Sequence, residues 1–294
     1  MTRPAGGSVI YQWLSDSGYF IHALLPSACR LEASIHDRAR DVVDRVPEGT
    51  GLFAFHLNCT LTERFPAERA ALVRALESRG IRVLNAGATD ISKRNVHRIC
   101  GALGFDTLDA GAEGNPDELV IVKTDLNFGG DSEWALSDEE RAALGVGKGS
   151  DIIWTPSHYR VVARRDVQPA WWTDTRLVCE RFVTNAGDRW YRAFLHDRRI
   201  AVCELSNPNP IKKVGDSRVL RMWTSSGDAG PETFEARLTR DVERFARAIG
   251  LDFGTVDAVA DDQGRSFIID ANATAAYNHP IPGLIDRLGT LPTT

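Results

Sequence analysis

Lysine is scarce in this chain: 30 of its positive charges are arginine and only five are lysine, Lys93, Lys123, Lys148, Lys212 and Lys213. A chain that writes positive charge as arginine reserves the compact ammonium for positions that need a point charge. The five cysteines, Cys29, Cys59, Cys100, Cys179 and Cys203, are odd in number and scattered, with no C-x-x-C, which argues against a disulfide frame or a zinc site. The seven histidines form no H-x-x-x-H or H-E-x-x-H, so a histidine-based metal site is not expected. No apolar run approaches the ~20 residues that span a bilayer, and no membrane partner is expected. Residues 1–7 lack the apolar core of a signal peptide, so a cytoplasmic protein is expected. A net charge of −5 provides no basic field for nucleic acid.

What is present is an ordinary core, with 43% hydrophobic residues over 294 positions, enough for two domains or one elaborate one. The first ~90 residues alternate strand-like and helix-like patterns. Ser8–Trp13 and Gly51–Phe55 read as strands. Pro66 opens a helix with Leu72, Val73 and Leu76 on one side, Gly80 ends it, and Ile81–Leu84 follows as a strand. Alternation with short connections predicts a small α/β domain with a parallel sheet. A helix begins near Ser92, with Val96, Ile99 and Leu103 on one face and Gly104 as its stop. A continuous apolar strand, Leu119–Val122, leads to Lys123. Residues 131–172 are poorly legible apart from a short helix over Asp138–Leu144 and a stretch containing Gly145, Gly147 and Gly149. A strand over Leu177–Val183 comes next, then a hairpin with arms Trp190–Leu195 and Ile200–Leu205. A long amphipathic helix follows, with Phe234, Leu238, Val242, Phe245 and Ile249 on one face and Gly250 at its end.

Three places carry chemistry. Lys93 sits in the first turn of its helix, where the dipole already favours anions, so lysine suits a phosphate there; a solvated surface lysine fits the same position. Lys123 ends its strand and is followed by Asn127, Gly129 and Gly130, and glycines let main-chain N–H groups approach a phosphate. This is neither a Walker A nor a G-x-G-x-x-G motif, and a plain turn explains it equally well. Near the C-terminus, Val256–Ala260 and Ser266–Asn272 flank an Asp/Gly turn and read as a β-hairpin. An even-length turn pairs Asp257 with Ile268 and places Asp257, Asp270 and Asn272 on one face. Two carboxylates and an amide oxygen suit a hard cation such as Mg²⁺, while a half-exposed hairpin with a polar outer face uses the same residues.

The order of these pieces resembles the ATP-grasp superfamily of carboxylate–amine ligases. It runs from the helix-start lysine to the strand ending in lysine before Gly-Gly, then Glu-x-Phe-Val, a hairpin bearing Tyr-Arg, a long helix, and Asp-x-Asn on the last hairpin. The likeness spans about residues 88–276. It implies an ATP-grasp fold of class α/β: an N-terminal parallel domain over 1–90 and two subdomains, 91–176 and 177–294, that clamp ATP. By the same resemblance, Lys93 and Lys123 would contact ATP phosphates, with Asn127, Gly129 and Gly130 closing over them. Glu180 would contact adenine, Arg181 would lie in the same hinge, and the Phe182–Val183 main chain would read the adenine edge. Asp188 would reach the ribose, and Arg192 and Arg221 would lie near the transferred phosphate. Asp257, Asp270 and Asn272 would hold one or two Mg²⁺ ions, with Mn²⁺ an allowed substitute. Two departures stand out: many members carry Glu where this chain has Asp270, and no proline follows Asn272 until Pro280.

The resemblance implies an ADP-forming ligase that activates a carboxylate as its acyl-phosphate and joins it to an amine, on small-molecule substrates, with a homodimer compatible. Two variants of that chemistry fit the same motifs: a kinase that stops at a phosphorylated product, and a ligase that modifies a peptide side chain. A nucleotide binder without catalysis leaves the lysines and the metal-type oxygens without a joint role. Arg160, Arg164, Arg165, Lys212 and Lys213 could meet an acidic substrate, or form a solvated face.

Overall fold

The computed structural model describes residues 7–13, 18–63, 65–146, 158–212, 214–225, 233–277 and 281–289. Gly147, Lys148, Gly149, Lys213 and Pro280 lie outside the described residues. The N-terminal elements are β1 (Gly7–Gln12), α1 (Phe20–Leu24), β2 (Cys29–Glu32), α2 (Ala39–Arg45), β3 (Thr50–His56), α3 (Arg69–Ser78) and β4 (Arg82–Leu84). Their strands form an all-parallel sheet ordered β2-β1-β3-β4, as the alternating pattern predicts. Val9, Tyr11, Phe53, Phe55, Leu72 and Leu76 are buried together, so β1, β3 and α3 share one core.

After α4 (Lys93–Ala102), three antiparallel strands make a small sheet: β5 (Leu119–Thr124) at the centre, with β6 (Arg160–Ala163) and β7 (Leu177–Arg181) on either side. Ser92 caps α4 by accepting the Asn95 N–H, a contact worth ~1 kcal/mol to helix stability. Two short helices, α5 (Asp131–Trp134) and α6 (Asp138–Leu144), lie between β5 and β6, and Ser137 with Glu140 forms a full capping box on α6. Because β7 pairs with β5, the expected division at residue 176 falls between strands of a single sheet.

The third sheet is antiparallel, ordered β10-β9-β8-β11-β12. Its strands are β8 (Arg189–His196), β9 (Arg199–Ser206), β10 (Arg218–Thr224), β11 (Phe253–Ala260) and β12 (Ser266–Asn272). The helix α7 (Phe234–Ile249) buries Leu238, Val242, Phe245 and Ile249 against one face of this sheet, beside Val96 and Ile99 of α4. Burial of side chains this size contributes roughly 1.5–3 kcal/mol each. A last helix, α8 (Leu284–Leu288), covers part of the other face. Among the described residues, no helix is long and apolar enough to cross a membrane.

The last hairpin departs from expectation in its register. Asp257 pairs with Asp270, not with Ile268, which faces Ala258. Arg265 belongs to the turn, its N–H and Nε both held by Asp261, so the turn has one more residue than expected. A β-bulge between Asp257 and Ala258 then leaves Ile269 unmatched and brings Asp270 opposite Asp257. Without that bulge Asp270 would turn to the α7 side of the sheet, because a one-residue slip reverses every side chain beyond it.

Candidate active site

A solvent-open cleft of about 650 Å³ lies between the small sheet and the five-stranded sheet. Its apolar lining comes from Leu108, Ile121, Phe182, Val183, Ile211, Val259 and Ile269, a set suited to a flat ring. Its charged lining comes from Lys93, Lys123, Glu180, Arg181, Lys212 and Asp270. Three of the five lysines therefore meet in one cleft. Lys212 is among them although its sequence context also fitted a solvated surface; its ammonium donates to the Asn207 carbonyl at 2.7 Å. The scarcity of lysine was the available signal for it.

The Lys123 ammonium lies 2.6 Å from Glu180 Oε2, and His97 Nε2 lies 3.0 Å from Glu180 Oε1. Burial of Glu180 favours its neutral form, yet Lys123 and His97 outweigh it and hold the carboxyl down to about 2. Both Glu180 oxygens are bonded, to Lys123 and His97, so Glu180 fixes where Lys123 points while itself lining the cleft. His97 was missed because nothing in its helix marks it apart from a core histidine. The Phe182 N–H donates to the Leu119 carbonyl at 2.9 Å, and Phe182 and Val183 both line the cleft. Arg181 lines the cleft while one of its terminal nitrogens donates to the Thr107 carbonyl. Lys93 is 3% exposed, and desolvation pushes its ammonium down to about 8 against the pull of Glu180, Asp125 and Glu133. It donates to the Leu126 carbonyl at 2.5 Å.

The loop after β5 is held in place at Asn127. Phe128, Gly129 and Gly130 have φ of 46°, 78° and 88°, a left-handed run that only the glycines adopt without strain. The Asn127 N–H donates to Thr60 Oγ1 at 2.8 Å, and Asn127 Nδ2 donates to Asn272 Oδ1 at 2.7 Å. Tyr159, from a stretch of sequence that was illegible, is buried in the wall of the same cleft.

Asp257, Asp270 and Asn272 share one face of the hairpin, and β8 adds Arg192 beside Asp257. Arg192 grips Asp257 with both forks, Nε to Oδ1 at 2.8 Å and Nη2 to Oδ2 at 2.9 Å. Although burial works against its charge, this carboxylate raises the Arg192 pKa. Hard oxygen donors such as Asp270 and Asn272 fit Mg²⁺, whereas Asp257 would have to release Arg192 before both its oxygens could reach a metal. Among the described residues no group of three or more His, Cys, Asp or Glu could hold a metal. Arg221 is not brought to the cleft. It pairs with Glu204 and Glu235 and stacks over Trp223, on the α7 side of the sheet and away from the cleft. Asp188, in left-handed backbone at φ 52°, lies 3.4 Å from the Lys212 ammonium.

Comparison with solved structures bears on what such a cleft belongs to. The chain superposes on the ATP-grasp ligase PsnB, solved with a minimal precursor, at TM-score 0.50 and 10% identity, covering 96% of this chain and 94% of that one. It superposes on an L-amino acid ligase from Bacillus licheniformis at TM-score 0.51 and 12% identity, covering 92% and 67%. The chain has the ATP-grasp fold. At these identities the likeness is one of architecture, and no family model and no curated protein sequence matches. Within this fold, Lys123 of the three-stranded sheet and Asp270 of the five-stranded sheet line the same cleft.

Proposed function

We propose that the protein is an ATP-dependent ligase that converts a carboxylate to its acyl-phosphate and joins it to an amine, releasing ADP and phosphate. The observation that carries this reading is the convergence of Lys93, Lys123 and Asp270 on one cleft whose lining is otherwise largely apolar. A carboxylate does not acylate an amine unaided, because oxide is the leaving group; phosphorylation replaces it with phosphate. Phosphoryl transfer asks the protein mainly for positioning and charge neutralisation. Lys93 and Lys123 carry the phosphate charge, Glu180 and His97 hold Lys123 in place, and the apolar hinge around Val183 takes the base. Asp270 and Asn272 would hold Mg²⁺, which supplies further charge neutralisation at the phosphates. The pinned Asn127–Gly130 turn excludes water, since hydrolysis would waste the acyl-phosphate.

PsnB was solved with a precursor peptide and the Bacillus protein is an L-amino acid ligase, so both peptide and free amino acid belong in a substrate screen. That screen measures ADP release over amino acids, simple carboxylates and peptides, with product masses. Free phosphate together with an amide supports the ligase; a stable phosphorylated product identifies a kinase instead. Lys123→Ala and Asp270→Ala are expected to abolish ADP formation, and wild-type turnover in either variant sinks the assignment.

A further inference from the structure

Two buried acceptors beside the glycine turn are not used by the chemistry above. Glu133, at 1% exposure, follows that turn in α5. Its Oε1 accepts the Thr60 N–H at 2.5 Å, while its Oε2 is buried with no hydrogen-bond partner among the described residues. Asn127 is similar: its main-chain N–H and Nδ2 are bonded, to Thr60 Oγ1 and Asn272 Oδ1, but its Oδ1 is buried without a partner among the described residues. Buried acceptors are ordinarily satisfied, and a carboxylate oxygen left without a donor is costly.

Both residues are tied to Thr60, through Glu133 Oε1 and the Asn127 main-chain N–H, and Thr60 lies shortly beyond the C-terminal end of β3. The crevice outside the carboxyl ends of parallel strands is where open α/β sheets take ligands. A group that answers two acceptors, one of them anionic, is a cation with several N–H donors, and a primary ammonium carries three. We propose that Glu133 Oε2 and Asn127 Oδ1 form the recognition site for the ammonium group of the amine substrate, an inference that rests on the ligase reading above. The location suits the chemistry. Asn127 is one hydrogen bond from Asn272, on the hairpin face that presents Asp270 to the cleft, so an amine here lies at the phosphate end and not at the adenine end. Glu133 also acts electrostatically on Lys93.

Glu133→Gln tests this, because the glutamine oxygen still accepts the Thr60 N–H while the charge is lost. Two nucleophiles are compared with one carboxylate: hydroxylamine, which is uncharged at neutral pH and traps an acyl-phosphate as the hydroxamate, and the amino acid that turns over fastest in the screen. The expected result is a KM for the amino acid raised at least about ten-fold, the scale of one lost charge-assisted hydrogen bond, with hydroxamate formation retained. Glu133→Asp, which keeps the charge on a shorter arm, is expected to raise that KM by less, and serves if Glu133→Gln does not fold. Equal loss of both products overturns the proposal and leaves Glu133 as a loop anchor. An altered Mg²⁺ requirement with an unchanged amine KM overturns it in favour of a metal site. Absence of hydroxamate from the wild-type protein removes the ligase reading itself, and this inference with it.

Discussion

Lys93 shows at the scale of one residue how burial tunes a phosphate site. A buried ammonium loses hydration, and its proton affinity falls to about 8 from the ordinary lysine value. Phosphates beside it favour the charged form, so the bound state holds the proton to higher pH than the free state. Above pH 8 the free protein has released that proton, and ATP binding must take one up again. ATP affinity is therefore expected to fall as pH rises past about 8, by up to about ten-fold per pH unit. Titrating ATP binding between pH 7 and 9.5 checks this. Lys93→Arg, which keeps its charge throughout that range, is expected to lose the slope whatever its absolute affinity. A slope that persists in the variant assigns the proton to another group. Glu180 behaves differently, since at about 2 it stays ionised across the working range and holds Lys123 steadily.

At the scale of elements, the last hairpin matters most, because its register decides which face the oxygens take. Gly254 in β11 has φ 141°, and a Cβ there would collide with the Asn272 carbonyl oxygen on β12. Gly254→Ala is expected to destabilise the fold by roughly 2–4 kcal/mol and to push the Asn272 end of β12 outward. Urea unfolding measures the first effect; a raised Mg²⁺ requirement for ADP release measures the second. The same hairpin shows what the sequence could and could not reveal. Alternation in two apolar runs located both strands and placed Asp257, Asp270 and Asn272 on one face, but the bulge at Ile269 has no local signature and the pairing of Asp257 was misread. Helices α4 and α7 were legible because a capping residue or an apolar stripe marks them. β10 was not, since its Arg218–Arg221 half is exposed and carries no period-two pattern. The cleft lysines stood out by rarity, whereas the engagement of Glu180 with Lys123 and the turning away of Arg221 follow from tertiary pairing that no spacing encodes.

For the whole molecule, the decisive feature is the seam joining the N-terminal sheet to the segment after β12. Phe20 N–H donates to the Ala275 carbonyl and Tyr277 N–H to the Gly18 carbonyl, each at 2.9 Å. Asn58 Nδ2 donates to the Tyr19 hydroxyl at 2.5 Å, and the Thr274 hydroxyl donates to Asn58 Oδ1 at 2.8 Å. His56 lies at the end of β3 in this seam, fully buried, with its ring 4.9 Å from that of Tyr19 and 5.7 Å from that of His22. Burial, reinforced by His22, pushes the His56 pKa down to about 3. The unfolded chain takes up a proton at this residue near its ordinary value of 6.5, while the folded chain does not until about 3. Stability is therefore lost as pH falls through that window, by up to about 1.4 kcal/mol per pH unit from this group. Between pH 6.5 and 4.5 the loss is about 2–3 kcal/mol, and His56→Gln, which has no proton to gain, is expected to flatten the acid limb by that amount. Urea unfolding of both proteins at the two pH values measures it. Because the seam borders Asn272, the domains are expected to loosen before either sheet melts, so ADP release should fall with acid ahead of the loss of secondary structure. Coincident loss of the two signals would place the weak point inside a sheet instead of between them.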